Sequence, residues 1–159
     1  MQNLSELTQR LISSRVEFVL VGGFAAAAHG VTLVTRDMDI CCRFSETNLM
    51  RIQNAFADLH PVHRSRPDLP LELTPEQCAS LKNLYLKTDW GVVDCHGEIL
   101  GVGNYEDVLK HSVEVELPYG KCRVLDIEAL IRAKEAMNRE HDRLTVKYLK
   151  EIKKQQGQN

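Results

Sequence analysis

Apolar residues at Leu4, Leu7, Leu11 and Ile12 fall at helical spacing and predict a helix over residues 3–14. Val16 to Val21 reads as a buried strand, which Gly22-Gly23 ends. The run Phe24 to His29 begins a short alanine-rich helix, and Gly30 stops it. Asp37 to Phe44 reads as a second strand. Ser45 is placed to cap the next helix, whose apolar face is Leu49, Ile52, Phe56 and Leu59. Residues 60–73 contain three prolines and read mostly as loop. Thr74-Pro75-Glu76-Gln77 is a helix start: a cap, a proline in the first turn and Gln at the capping-box position. Two hairpins follow, one turning near Asp89-Trp90-Gly91 and one at Pro118-Tyr119-Gly120. Asp126 caps a helix carrying Ile127, Leu130 and Ile131, and a last helix covers about His141 to Lys153.

This order predicts an α/β or α+β fold, a mixed β-sheet flanked by helices. It is not a regular series of strand–helix–strand units, and the glycines do not match G-x-G-x-x-G, so a dinucleotide-binding fold is not expected. At 159 residues the expectation is a single domain, with a core over about 16–125 and a C-terminal helical segment over about 126–155.

Composition narrows the setting more than the chemistry. The apolar fraction of 43% is ordinary for a soluble domain, and no apolar run approaches a membrane span. Five cysteines, odd in number and without C-x-x-C spacing, predict reduced thiols in a cytoplasmic protein. The net charge of −2 is unevenly spread: residues 132–154 hold eight Lys/Arg against four Asp/Glu. That segment reads first as a solvated helix face, and second as a guide for a polyanion.

Asp37 and Asp39 are the anomaly in this pattern, because they sit in an otherwise apolar strand. Side chains at i and i+2 of a strand share a face, so the two carboxylates would stand together, opposite Met38 and Ile40. Their mutual repulsion is offset if a hard divalent cation lies between them, and magnesium suits one or two carboxylates completed by substrate phosphates. Gly22 and Gly23, at a strand-to-helix turn, would let backbone N–H groups approach a phosphate. Asp94, a carboxylate in the apolar run Gly91 to Cys95, is the candidate for a third ligand and a proton acceptor in a two-metal arrangement. His60-x-x-His63 and Cys95-His96 lack partners at zinc-ligand spacing.

The segment "VLVGGFAAAAHG", followed by "TRDMDI", resembles the nucleotidyltransferase superfamily with a DNA polymerase β-like fold. It looks most like the AbiEii-type branch, with Gly22, Gly23, Ala25, His29, Gly30, Thr35, Asp37 and Asp39 on its pattern. Residues 124–149 are similar to that branch's C-terminal segment, with Lys134, Arg139 and Asp142 on its polar positions. Leu33 stands where that branch has an arginine, and Arg36 is the neighbouring candidate for the same role. The resemblance implies a magnesium-dependent transfer of a nucleoside monophosphate from an NTP to a hydroxyl of RNA, protein or a small molecule. It implies metal and catalytic roles for Asp37, Asp39 and Asp94, and phosphate contacts from Gly22, Gly23, Arg36 and Lys134. It also implies an antitoxin-like partner protein and no membrane. The alternative is a non-catalytic module of the same fold that binds nucleotide or a partner. His29 is expected to support the Gly30 turn rather than to catalyse, and Arg139 and Asp142, three apart, are placed to pair with each other.

Overall fold

The structure, a computed structural model, describes residues 3–32 and 35–157; Leu33 lies outside them. Asn3 caps the first helix, α1 (Leu4–Ser13), by accepting the Glu6 N–H, and α1 buries Leu7 and Leu11. The strand β1 (Phe18–Val21) is buried at every position. The helix α2 (Gly22–Ala28) begins at Gly22 itself, two residues earlier than expected. The strand β2 (Asp37–Cys42) stops two residues short of Phe44. Ser45 caps α3 (Glu46–Phe56) by accepting the Asn48 N–H, and a 3₁₀ turn (Ala57–Leu59) extends it. Full burial of Leu49, Ile52 and Phe56 contributes about 1.5–3 kcal/mol each.

Residues 60–73 hold more structure than a loop. They form a hairpin of β3 (Val62–His63) and β4 (Arg66–Pro70). Every residue of β4 is exposed, so it carries no apolar alternation, and its two prolines are tolerated because it is an edge strand. The capping box of Thr74 and Gln77 starts α4 (Pro75–Ser80) as expected. The first predicted hairpin is β5 (Asn83–Thr88) with β6 (Gly91–His96). A small second sheet of β7 (Glu98–Ile99) and β8 (Gly103–Asn104), then α5 (Tyr105–Lys110), follow where no element was expected. The second predicted hairpin is β9 (Ser112–Leu117) with β10 (Gly120–Leu125). Asp126 caps α6 (Ile127–Met137), and α7 (Glu140–Gln156) completes the described chain.

The main sheet has eight strands in the order β4-β3-β5-β6-β2-β1-β10-β9. It is mixed: β1 runs parallel to β10 and antiparallel to β2, while β2 runs parallel to β6. Parallel neighbours need crossovers, and here chain segments of some fifty to a hundred residues supply them. Of the helices, α1 packs on α3 and β10, and α2 packs on α6, which packs on α7. This mixed sheet flanked by helices is the architecture the element order predicts. No helix among the described residues is long and apolar enough to cross a membrane.

Candidate active site

The turn after β1 has a steric reason to be Gly-Gly. Gly22 has φ +68°, and a Cβ there would lie 2.9 Å from Asp39 Oδ2. A Cβ on Gly23 would lie 2.8 Å from Thr35 Oγ1. Both distances are below normal contact, so the two glycines allow the start of α2 to sit against the residues around Asp39. His29 ends α2, and its Nε2 lies 2.8 Å from the Leu125 carbonyl oxygen on β10. It braces the turn before Gly30, as expected of a supporting residue.

On β2, Met38 and Ile40 are fully buried while Asp37 and Asp39 are half-buried, which is the alternation predicted. The parallel register sets Asp39 of β2 beside Asp94 of β6. Laterally paired strand residues share a face, so the three carboxylates lie on one side of the sheet. Asp94 is only 8% exposed. Its Oδ1 is buried and has no hydrogen-bond partner among the described residues. Burial raises the Asp94 pKa above the ordinary carboxylate value; Asp39 and Asp37 add to this, and Arg64 and His96 oppose it.

Three neighbours of these carboxylates were not expected from sequence. His96 Nε2 donates to Asp39 Oδ1 at 3.0 Å. Arg64 Nη1 lies 3.1 Å from Asp94 Oδ2. The Arg64 guanidinium also covers the Tyr85 ring at 5.1 Å, and that ring meets His96 edge-on at 5.7 Å. His96 was legible by parity, being two residues beyond Asp94 on the same strand. Cys95 points away and is buried, so the Cys95-His96 pair is not a ligand set. Arg64 left no signal, because it lies in the turn of a proline-rich hairpin.

The C-terminal helices supply the cationic wall. Asp142 is fully buried and accepts from Arg139 Nε at 2.6 Å, Arg139 Nη2 at 3.2 Å and the Arg139 N–H at 3.1 Å. Lys134 Nζ lies 3.4 Å from Asp142 Oδ1. Burial acts to raise the Asp142 pKa, but the Arg139 hydrogen bonds and the Lys134 charge outweigh it and hold the carboxyl below its usual range. The expected pairing of Arg139 with Asp142 is therefore present, and it also holds Lys134.

A cleft of about 1000 Å³ is lined by Gly22, Asp37, Asp39, Asp94, Lys134 and Arg139, and by Arg64, Tyr85 and His96. Gly23, Thr35 and Arg36 line a second cleft of about 360 Å³ that shares Asp37, Asp39, Lys134 and Arg139 with the first. All seven residues singled out from sequence thus border one of two contiguous clefts. Among the described residues, no three His, Cys, Asp or Glu side chains gather into a metal cage of their own. The donor set still fits magnesium, which uses one or two carboxylates and takes its remaining oxygens from substrate and water. The unpartnered Asp94 Oδ1 is a free acceptor at this place.

No protein-family model matches the chain, and no curated protein matches it. Several solved structures are similar to it, three of which follow. One is a Thermotoga maritima protein, TM1012, described as a nucleotidyltransferase: 22% identity over 93% of this chain and 91% of that one, TM-score 0.59. Another is the lincosamide antibiotic adenylyltransferase LnuA with lincomycin bound: 19% identity over 95% and 98%, TM-score 0.64. The third is ANT(2'')-Ia in complex with adenylyl-2''-tobramycin: 13% identity over 92% and 84%, TM-score 0.57. Likeness at these identities lies in the backbone, and it establishes that this chain has the fold seen in nucleotidyltransferases.

Proposed function

We propose that this protein transfers a nucleoside monophosphate from an NTP to a hydroxyl acceptor and releases pyrophosphate. The observation that carries the reading is the in-register pair Asp39 and Asp94, with Asp37 on the same face, in a cleft walled by Lys134 and Arg139. The backbone at Gly22 and Gly23 would face the triphosphate, and Lys134, Arg139 and Arg36 would offset its charge. Asp94, with its raised pKa, is suited to take the proton of the acceptor hydroxyl. The hydroxyl oxygen then bonds to the α-phosphorus, the bond to the pyrophosphate oxygen breaks, and the proton resides on Asp94. Magnesium on Asp37 and Asp39, with Asp94 as a further ligand in a two-metal arrangement, would supply charge neutralisation at the transferring group.

The same cleft has an apolar wall of Leu81, Ile99, Leu100 and Met137. This supports a small-molecule acceptor with an apolar surface over RNA. Two of the similar structures carry small molecules: lincomycin in LnuA, and adenylylated tobramycin in ANT(2'')-Ia. The finer likeness to the AbiEii-type branch, and with it an antitoxin-like partner, rests on the sequence motifs alone. A cytoplasmic setting rests on the five unpaired, buried cysteines.

The rival reading, a nucleotide-binding module without transfer, is favoured by one feature: Arg64 and His96 already occupy oxygens of Asp94 and Asp39. Incubation with each α-labelled NTP and magnesium, in cell extract, separates the two. Labelled product from wild type, lost in Asp37→Ala and Asp39→Ala, is expected. No product together with no NTP-dependent thermal shift would overturn the transferase reading and the nucleotide-binding one alike.

A further inference from the structure

The residue that touches Asp94 comes from outside every motif in the chain. Arg64 lies in the turn between β3 and β4, and its N–H donates to the Tyr85 carbonyl at 2.9 Å. Tyr85 is the register partner of Asp94 across β5 and β6, so the hairpin tip is pinned directly over the third carboxylate. The guanidinium reaches Asp94 Oδ2 at 3.1 Å, with its central carbon 5.1 Å from the centroid of the Tyr85 ring.

We propose that Arg64 is a positioning residue, a resident counter-ion that holds Asp94 in place and leaves it when a divalent cation binds. This rests on the reading of Asp37, Asp39 and Asp94 as metal carboxylates.

The two ends of the ion pair differ in burial. The Asp94 side chain is 11% exposed and the Arg64 side chain 41%. A buried carboxylate without a counter-charge is costly, whereas a half-exposed guanidinium released to water is not. Among the described residues Arg64 makes the one ion pair to Asp94, so its departure must be matched by another cation. A cation drawn to the free Oδ1 would stand across one carboxylate from the guanidinium on Oδ2, and the repulsion between the two charges favours release of the more exposed one.

The hairpin is also built to move. The strand β3 has two residues, its pairing with β4 shifts register between Val62 and His63, and β4 is exposed throughout. Few buried contacts would be lost if the tip withdrew, which is the signature of a segment with low local stability. Arg66, on the same hairpin, serves as an internal control. It carries the same charge but pairs with Asp68 at 3.1 Å and is 65% exposed.

Manganese binding, followed by calorimetry and by the paramagnetic signal of the free ion, tests the exchange. Arg64→Gln is expected to bind manganese roughly two- to five-fold more tightly than wild type, in line with removal of one partly exposed competing ion pair. Arg66→Gln should bind as wild type does. Arg64→Met, which keeps the stem over Tyr85, should match Arg64→Gln and guards against a folding defect in one variant. In wild type, manganese should raise deuterium uptake across residues 62–66. An unchanged or weaker affinity in both Arg64 variants, an equal gain in Arg66→Gln, or unchanged or reduced uptake would each overturn the proposal. In those three cases, manganese binding that is lost in Asp39→Ala leaves the carboxylate site standing. No binding by wild type or either Arg64 variant overturns both.

Discussion

At the scale of single residues, Gly22 and Asp94 are the positions where the candidate site constrains the chain most. Gly22 must tolerate φ +68° and leave room for the Asp39 carboxylate 2.9 Å from where a Cβ would be. An L-residue in that conformation costs about 1–2 kcal/mol before any clash. Gly22→Ala is therefore expected to lower the melting temperature and to weaken manganese binding together, since the displaced group is Asp39; a variant that loses stability but binds manganese as before would break that link. Asp94 runs the other way. Its raised pKa means that the folded protein holds a desolvated charge at neutral pH, a cost that disappears as pH falls below the unfolded carboxylate value. Asp94→Asn is expected to melt at the same or a higher temperature than wild type at pH 7, with the difference shrinking toward pH 4, while transfer activity is lost. Thermal melts across pH, beside the labelled-NTP assay, check both halves. Asp37, Asp39 and Asp94 were legible from sequence because a carboxylate in an apolar strand needs a compensating partner. Arg64 was not, since nothing local distinguishes an arginine in an exposed turn from a solvated one.

At the scale of elements, the junction of α6 and α7 is held by a buried carboxylate. Asp142 binds Arg139 in its own first turn and Lys134 in the preceding helix, so one side chain orients two cations of the cleft wall. Removing it leaves those cations without their partner; Asp142→Ala is expected to cost about 2–4 kcal/mol, toward the lower end because Arg139 is half-exposed. The pH dependence has a definite sign. A depressed carboxylate pKa contributes stability above the unfolded value of about 3.9 and loses it as pH falls through the lower folded value. Denaturant titrations should therefore show a large difference between wild type and Asp142→Asn at pH 7 and a small one near pH 2. The i, i+3 pairing of Arg139 and Asp142 was readable from spacing. That Lys134 joins it depends on how α6 packs on α7, which spacing along the chain does not encode. The hairpins β5–β6 and β9–β10 were legible because alternation and turn residues are local signals. The hairpin β3–β4 was not, because an exposed strand with two prolines has neither.

At the scale of the whole molecule, the site is assembled from segments far apart in the chain: the turn after β1, β2, β6, the β3–β4 tip and the α6–α7 junction. Ligands that bridge these parts should stabilise all of them at once. An NTP with magnesium at a hundred times its dissociation constant would add about 2.7 kcal/mol to the unfolding free energy. A differential scanning measurement should show that shift with magnesium present and a much smaller one with chelator; an equal shift in both would argue against metal-dependent nucleotide binding.

The sequence by itself determined the strands and helices with a strong period or cap, the single face shared by Asp37 and Asp39, and the turn at Gly22-Gly23 after the first strand. These follow from backbone geometry over a few residues. The tertiary structure decided that β2 lies parallel to β6, and therefore that Asp94 stands beside Asp39. It also decided which cations meet those carboxylates, Arg64 and His96 on one side and the Lys134–Arg139–Asp142 group on the other. Such pairings depend on the register of strands and the packing of helices separated by up to about a hundred residues, where burial and charge act through space and leave no local trace.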